Sequence, residues 1–509
     1  MNNILSVLIF SPIFLSLPVL FISKRKAAII KVYSLLVALF VLSISVLLFI
    51  KFEQNTANFQ FIERFRWVKD YNIYYLLGVD GISLLLVMLT AFIFPFTILA
   101  TWNSITDRVK TFYFLFLILE GSLLGVFLSL DLLLFYVFWE VILIPMYFII
   151  GIWGGKNRFY ATVKFFLYTM FGSLLMLIAI IWLSNTLTSS LQKFTTDWTE
   201  LAKVSPFIPE NIQLWLFLFF AVSFAVKVPV FPLHTWLPDA HTEAPTAGSV
   251  ILAAVLLKMG TYGILRFSMG LFPIMFVKYA WLIALIGVIG IIYGALVCIT
   301  QKDMKKLIAY SSVSHMGFIV LGLAGLTVES VQGGIIQMVN HGLSTGALFI
   351  FAGFLYDRRH TRWIADFGGL AKIIPVYASL FLFICLSSIG LPGLNGFIGE
   401  FLILAGAFFS PVLNNKLYSI FGATGVVLSA VYLLWMYQKV LLGPITNDDN
   451  KSVPDLNKRD ILSVIPIIIF IIWIGVYPNT FLSKSEATVK KLVQNIEIMK
   501  LNIIPESIP

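Results

Sequence analysis

Apolar runs of about 20 residues, separated by short polar and basic intervals, recur along the whole chain. A helix of that length spans about 30 Å of hydrocarbon. Inside lipid, only helices and closed barrels satisfy their own backbone. A barrel would show weakly alternating segments of about ten residues, and the sequence does not read that way. The runs predict about 14 helices, near residues 3–22, 28–50, 77–101, 112–130, 132–152, 160–184, 213–236, 247–268, 279–300, 305–325, 331–355, 374–408, 417–442 and 460–478. The fold class is therefore an all-α polytopic membrane protein. The longest polar intervals, 51–76 and 185–212, carry both signs of charge and are predicted to be short surface helices and loops.

Two of these runs are interrupted. The seventh reads SFAVKVPVFPLHTWLPDAH, and Pro229 and Pro232 each remove a helix hydrogen bond. The twelfth is too long for one straight crossing and contains SSIGLPGLNGFIGEF, where Pro392 and the surrounding glycines predict a second break. Paired broken helices point to repeated halves around a midplane site. The two lie five spans apart, so equivalent helices cross in opposite directions. Two inverted five-helix repeats follow, at 112–268 and 269–442, preceded by helices one to three at 1–111 and followed by helix fourteen and a tail at 443–509.

Composition agrees with this class: 59% of residues are apolar and 12% charged. The net charge of +10 needs no nucleic acid to explain it. Loops after odd-numbered spans hold 20 Lys and Arg, and those after even-numbered spans hold 9. The positive-inside rule then puts the odd loops in the cytoplasm and both termini outside it. The N-terminus lacks a basic lead and a cleavage site, so it reads as a retained first span. Cys298 and Cys385 fall in apolar runs and read as core residues. The sequence has no P-loop, dinucleotide fingerprint or HExxH, so no redox cofactor is expected in this chain.

The candidate chemistry lies in ionisable residues within the spans. Lys227 sits directly on the first break, and Lys258 lies about 12 residues into span eight. An ammonium at the bilayer centre costs about 2.5–3.5 kcal/mol on insertion scales, so it persists there only with a partner or a task. Glu140 in span five and Glu400 after the second break are the natural partners. A Glu140–Lys227 contact that opens and closes would act as a protonation switch, because a nearby opposite charge favours the ionised form of each. His234, His315 and His341 are intramembrane and suit a proton relay. Glu120 and Asp131 are secondary candidates; Asp131 also suits a helix N-cap, and Asp80 a cap or bend. His241 and His360 read as loop residues. The sharp alternative is haem ligation by His315 and His341.

The strings FAVKVPVFPLHTWLPDAHTEAPTAGSVILAAVLLKMGTYGILRF, KKLIAYSSVSHMGFIVLG and LPGLNGFIGEF closely resemble the antiporter-like subunits of respiratory complex I, from about residue 78 to 442. The resemblance implies 14 spans with inverted repeats and a hydrated mid-membrane axis. It also implies proton pumping coupled to electron transfer from NADH to quinone. Glu140, Lys227, Lys258 and Glu400 match the family's pumping residues, and His234, His315 and His341 match positions along its axis. Glutamate at 400, where two sister chains carry lysine, and the lack of a long lateral C-terminal helix point to the M-type branch. The expected partners are the other membrane subunits, including two sister antiporter-like chains, and the lipid bilayer. NADH, FMN, iron–sulfur clusters and quinone are expected in partner subunits, and the location is a bacterial inner membrane. The rivals are a subunit of a multi-chain Na+/H+ antiporter, a membrane-bound hydrogenase subunit, and a purely structural or haem-carrying chain.

Overall fold

The computed structural model describes residues 3–503, with side chains through residue 499. Among these, twelve helices are long and apolar enough to cross a membrane, from Lys24–Lys51 to Lys458–Val476. Ile4–Leu20, Pro375–Ile389 and Asn395–Phe408 are shorter apolar helices. The helices form an inner and an outer set. Thr246–Leu271 and Val328–Arg359 are enclosed by protein across their membrane-length windows, whereas Lys24–Lys51, Arg158–Leu191 and Leu417–Leu441 leave much of their surface open. The open faces carry Leu36, Phe40, Phe171, Ile178 and Val427, side chains that lipid tails solvate without cost. Polar groups that cannot face lipid therefore collect on the inner helices.

Small residues let the inner helices approach. A Cβ on Gly287 would press on the Gly317 carbonyl at 2.9 Å, and one on Gly294 would meet the Ser314 amide at 2.7 Å. Ala280–Ile299 and Met304–Ala324 thus pack backbone to backbone, as small-residue stripes allow in membranes. Both predicted breaks are present. One helix ends at Lys227 and the chain resumes as Trp236–Glu243. The other ends at Ile389, passes through Gly390 at φ +84°, and resumes at Asn395. A positive φ of that size favours glycine.

Three segments differ from the sequence expectation. Residues 51–76 hold more than short helices and loops, because Gln60–Val68 and Ile73–Val79 form an antiparallel hairpin. Its Ile, Phe, Trp, Tyr and Val content is β-prone, and Asn72 turns the chain at φ 47°. The third apolar run consequently becomes a helix only at Gly81, where Asp80 forms a capping box with Ser83. The C-terminal tail is not a simple tail: Asn479–Ile503 is an amphipathic helix that packs on Gly81–Ala100, and the Gly81 amide donates to Thr488 Oγ1 at 3.2 Å. Finally, Arg266, one of the 9 Lys and Arg counted in loops after even-numbered spans, is buried. It sits in a π-helical turn, Ile264–Ser268, and its guanidinium donates to Asp80 Oδ1 at 2.6 Å. Phe59, Trp198 and Tyr262 ring it at 5.1–5.4 Å.

This buried pair joins the start of one helix to the end of another. Removing one partner of such a pair typically costs about 3–5 kcal/mol, because the other charge is left unpaired. Arg266→Leu should therefore reduce the folded protein recovered from membranes. Asp80→Asn added to Arg266→Leu should restore part of it, and recovery of both variants on a size-exclusion column measures the effect.

Candidate functional site

The first break is built by its prolines. Pro229 cannot donate to Ala225, and the Val230 amide takes that carbonyl instead, at 2.8 Å. Val226 O loses its usual partner by this shift and accepts from the Trp236 indole N–H at 2.8 Å. Lys227 is the last residue of the helix, 1% exposed. Its Nζ has no hydrogen-bond partner among the described residues and lies over the rings of Trp139 and Phe165.

Glu140 approaches from the neighbouring helix, which jogs at Ile142 between Leu132–Val141 and Leu143–Trp153. Pro145 accounts for the jog, since it cannot donate to the Val141 carbonyl. Glu140 is half-buried. Among the described residues, its Oε1 and Lys227 Nζ both lack a hydrogen-bond partner. The Glu140–Lys227 pair is open.

Lys258 is fully buried just beyond a second π-helical turn, Leu252–Leu256. That turn shifts the backbone ladder, and Lys258 Nζ donates to Ala253 O at 2.5 Å. Nζ also lies 2.5 Å from His341 Nδ1. The His341 and His315 rings are 5.7 Å apart, and His315 Nδ1 lies 3.2 Å from Glu400 Oε1. Lys258, His341, His315 and Glu400 thus form one buried file drawn from four separate helical segments. Glu400 also accepts from Gln337 Nε2 at 3.2 Å. Asn340, Ser344, Ser387 and Asn395 form a hydrogen-bonded net alongside. A small cavity of about 10 Å³ between these groups is lined by both histidines, Gln337 and Asn340. Its lining is polar and it has room for about one water, far too little for a porphyrin, which counts against the haem alternative.

The other candidates fall outside this file. Asp131 caps Leu132–Val141, accepting from the Leu133 and Leu134 amides at 2.9 and 3.2 Å and from Thr196 Oγ1 at 2.7 Å. Those bonds tie it to local structure. Glu120 is fully buried, with neither oxygen hydrogen-bonded among the described residues. His234 lies in the turn after Lys227, edge-on to Tyr293 at 5.0 Å.

Two residues were not anticipated. His241, read as a loop residue, is fully buried and stacked on Phe349 at 4.7 Å. Lys305, counted as a loop lysine, is 4% exposed and donates to Ala244 O at 2.8 Å and Ser249 Oγ at 3.3 Å. Ser249 in turn donates to His241 O at 2.9 Å. Toward the surface, Arg362 pairs with Asp303 at 3.2 Å and Glu243 at 3.9 Å.

Residues 129–429 match the transmembrane family described as NADH:quinone oxidoreductase/Mrp antiporter. The chain belongs to this family. It is 43% identical to NADH-quinone oxidoreductase subunit M of Rhodobacter capsulatus, over 97% of each chain. It is 44% identical to NADH-ubiquinone oxidoreductase chain 4 of Marchantia polymorpha, over 96% of this chain and 97% of the relative. A chain of respiratory complex I from Thermus thermophilus with bound NADH superposes with a TM-score of 0.84 at 31% identity, covering 96% of this chain and 99% of that one. The membrane-spanning helical class and the complex I resemblance read from the sequence both stand.

The Trp236–Val226 bond gives a direct test of the break. Trp236→Phe keeps the ring's bulk but orphans a buried carbonyl, which costs about 1–3 kcal/mol. The purified assembly carrying this variant should unfold at a lower temperature than the wild type, read by differential scanning fluorimetry.

Proposed function

We propose that this chain is an M-type proton-translocating membrane subunit of an NADH:quinone oxidoreductase, with the Glu140, Lys227, Lys258 and Glu400 side chains carrying protons along a mid-membrane axis. The observation that carries the reading is the buried file from Lys258 through His341 and His315 to Glu400. Nothing in packing alone calls for four adjacent titratable side chains inside an apolar bundle, where each is costly.

In the proposed cycle a proton enters from the cytoplasmic side past Asp303 and Glu243, and Lys305 and His241 pass it to Lys258. Closing and opening the Glu140–Lys227 contact alters the field along the axis and drives the proton through the histidines to Glu400, which releases it outside. The magnitudes suffice. A charge pair at 4 Å in an effective dielectric of 20 is worth about 4 kcal/mol, against about 2.3 kcal/mol for one charge moved through 100 mV.

NADH, FMN, iron–sulfur clusters and quinone belong, in this reading, to partner subunits that perform the electron transfer. The half-buried Glu140 supports a covering neighbour, since a carboxylate on a membrane helix does not rest against lipid. Two sister antiporter-like chains are the proposed membrane partners. The location is a bacterial inner membrane with both termini outside the cytoplasm, as the basic-loop count supports.

Lys227→Ala, Glu140→Ala and Lys258→Ala should each lower NADH-driven acidification of inverted vesicles by about tenfold or more, equal to at least about 1.4 kcal/mol in the barrier, while the complex still assembles. Wild-type pumping in all three would overturn the proposal. Sodium-driven proton exchange without NADH oxidation would favour the antiporter reading instead.

A further inference from the structure

The setting of Lys227 includes two residues that the proton-transfer reading does not use. Its Nζ is 5.3 Å from the centroid of the Trp139 ring and 5.8 Å from that of Phe165. None of the three side chains is more than 1% exposed. Lys227 Nζ and the Trp139 indole N–H both lack a hydrogen-bond partner among the described residues. The ammonium therefore rests on two aromatic faces instead of a carboxylate. The negative face of a ring attracts a cation, most strongly for tryptophan and more strongly where water is excluded.

Packing fixes these rings. Trp139 lies between Phe135 at 5.4 Å and Phe224 at 5.7 Å, and Phe165 lies 5.5 Å from Trp236, the residue that secures the break. Trp139 also directly precedes Glu140, one turn from the jog at Ile142. Successive residues on an α-helix point about 100° apart. One helix thus offers the same lysine two neighbouring seats, an aromatic face and a carboxylate, and the jog is where the helix can turn one away and bring up the other.

We propose that Trp139 is a positioning residue that parks the Lys227 ammonium against its indole face, with Phe165 as the second wall, and that Lys227 moves between this seat and Glu140 during turnover. This rests on the proton-transfer reading above. The seat keeps the lysine charged while its carboxylate is away. Other charged groups around it are committed or set apart. Lys164 on the Arg158–Leu191 helix is paired with Asp239 at 2.7 Å. Lys258 is bonded to Ala253 and His341, and His234 lies beyond the break against Tyr293.

The test uses the whole complex in inverted membrane vesicles. NADH-driven proton uptake is measured across pH for wild type, Trp139→Leu, Trp139→Phe and Lys227→Ala, with the assembled complex quantified in each. Loss of the indole face should move the alkaline limb of the Trp139→Leu profile toward neutral pH by about half to one and a half units. Trp139→Phe, which keeps a ring, should move it less. If Trp139→Leu fails to assemble, Phe165→Leu replaces it, with a shift in the same direction expected. Lost amplitude with an unmoved profile would mean a purely structural role and overturn the proposal. So would wild-type profiles in the ring variants while Lys227→Ala abolishes pumping. Wild-type pumping in Lys227→Ala would remove the proton-transfer reading itself, and this proposal with it.

Discussion

An ionised side chain within the hydrocarbon layer must be solvated by the protein or by trapped water, and the architecture of this chain follows from meeting that demand several times over. Lys258 is solvated by a carbonyl that a π-helical turn redirects and by a histidine. Glu400 has His315 and Gln337. Lys227 has neither carboxylate nor carbonyl and rests on aromatic faces. Each solution departs from regular helix geometry or from simple apolar packing. The π-helical turns at Leu252–Leu256 and Ile264–Ser268 lie where protein encloses them, a setting in which a membrane tolerates irregular backbone.

The ends of the bundle contrast with its middle. Asp80 and Arg266 lock two helix termini together, and Arg358 does the same with Asp460 at 2.6 Å. These pairs are closed and short. At mid-depth Lys258 is held as tightly, at 2.5 Å from Ala253 O and from His341 Nδ1, but Glu140 and Lys227 are apart. Fixed ends around an adjustable centre suit a device that changes the charge state of a few residues without unpacking its helices. The glycine contacts between Ala280–Ile299 and Met304–Ala324 make the frame stiff, because side chains cannot slide where backbones touch.

Much of this was legible in the chain. Run length gave the helices, and Pro229, Pro232, Pro392 and the adjacent glycines located both breaks because their effects are local. Lys227, Lys258 and Glu400 stood out because charge inside an apolar run is rare. The hairpin was missed because its residues are charged as well as β-prone, and its pairing depends on tertiary context. Arg266, Lys305 and His241 lie near the ends of runs, where hydropathy cannot tell a solvated residue from one folded inward. The π-helical turns leave no compositional mark. The His341–Lys258 contact joins residues 83 positions apart, which no local pattern encodes.

The proposed function requires a polar track that joins Lys227 to Glu400 through Lys258, His341 and His315. The most direct test is an electron cryomicroscopy map of the assembled complex at a resolution that shows ordered water. The account predicts water between Lys227 and Lys258 and in the space beside His315 and Asn340. A map with packed apolar side chains and no water between the two lysines would contradict it.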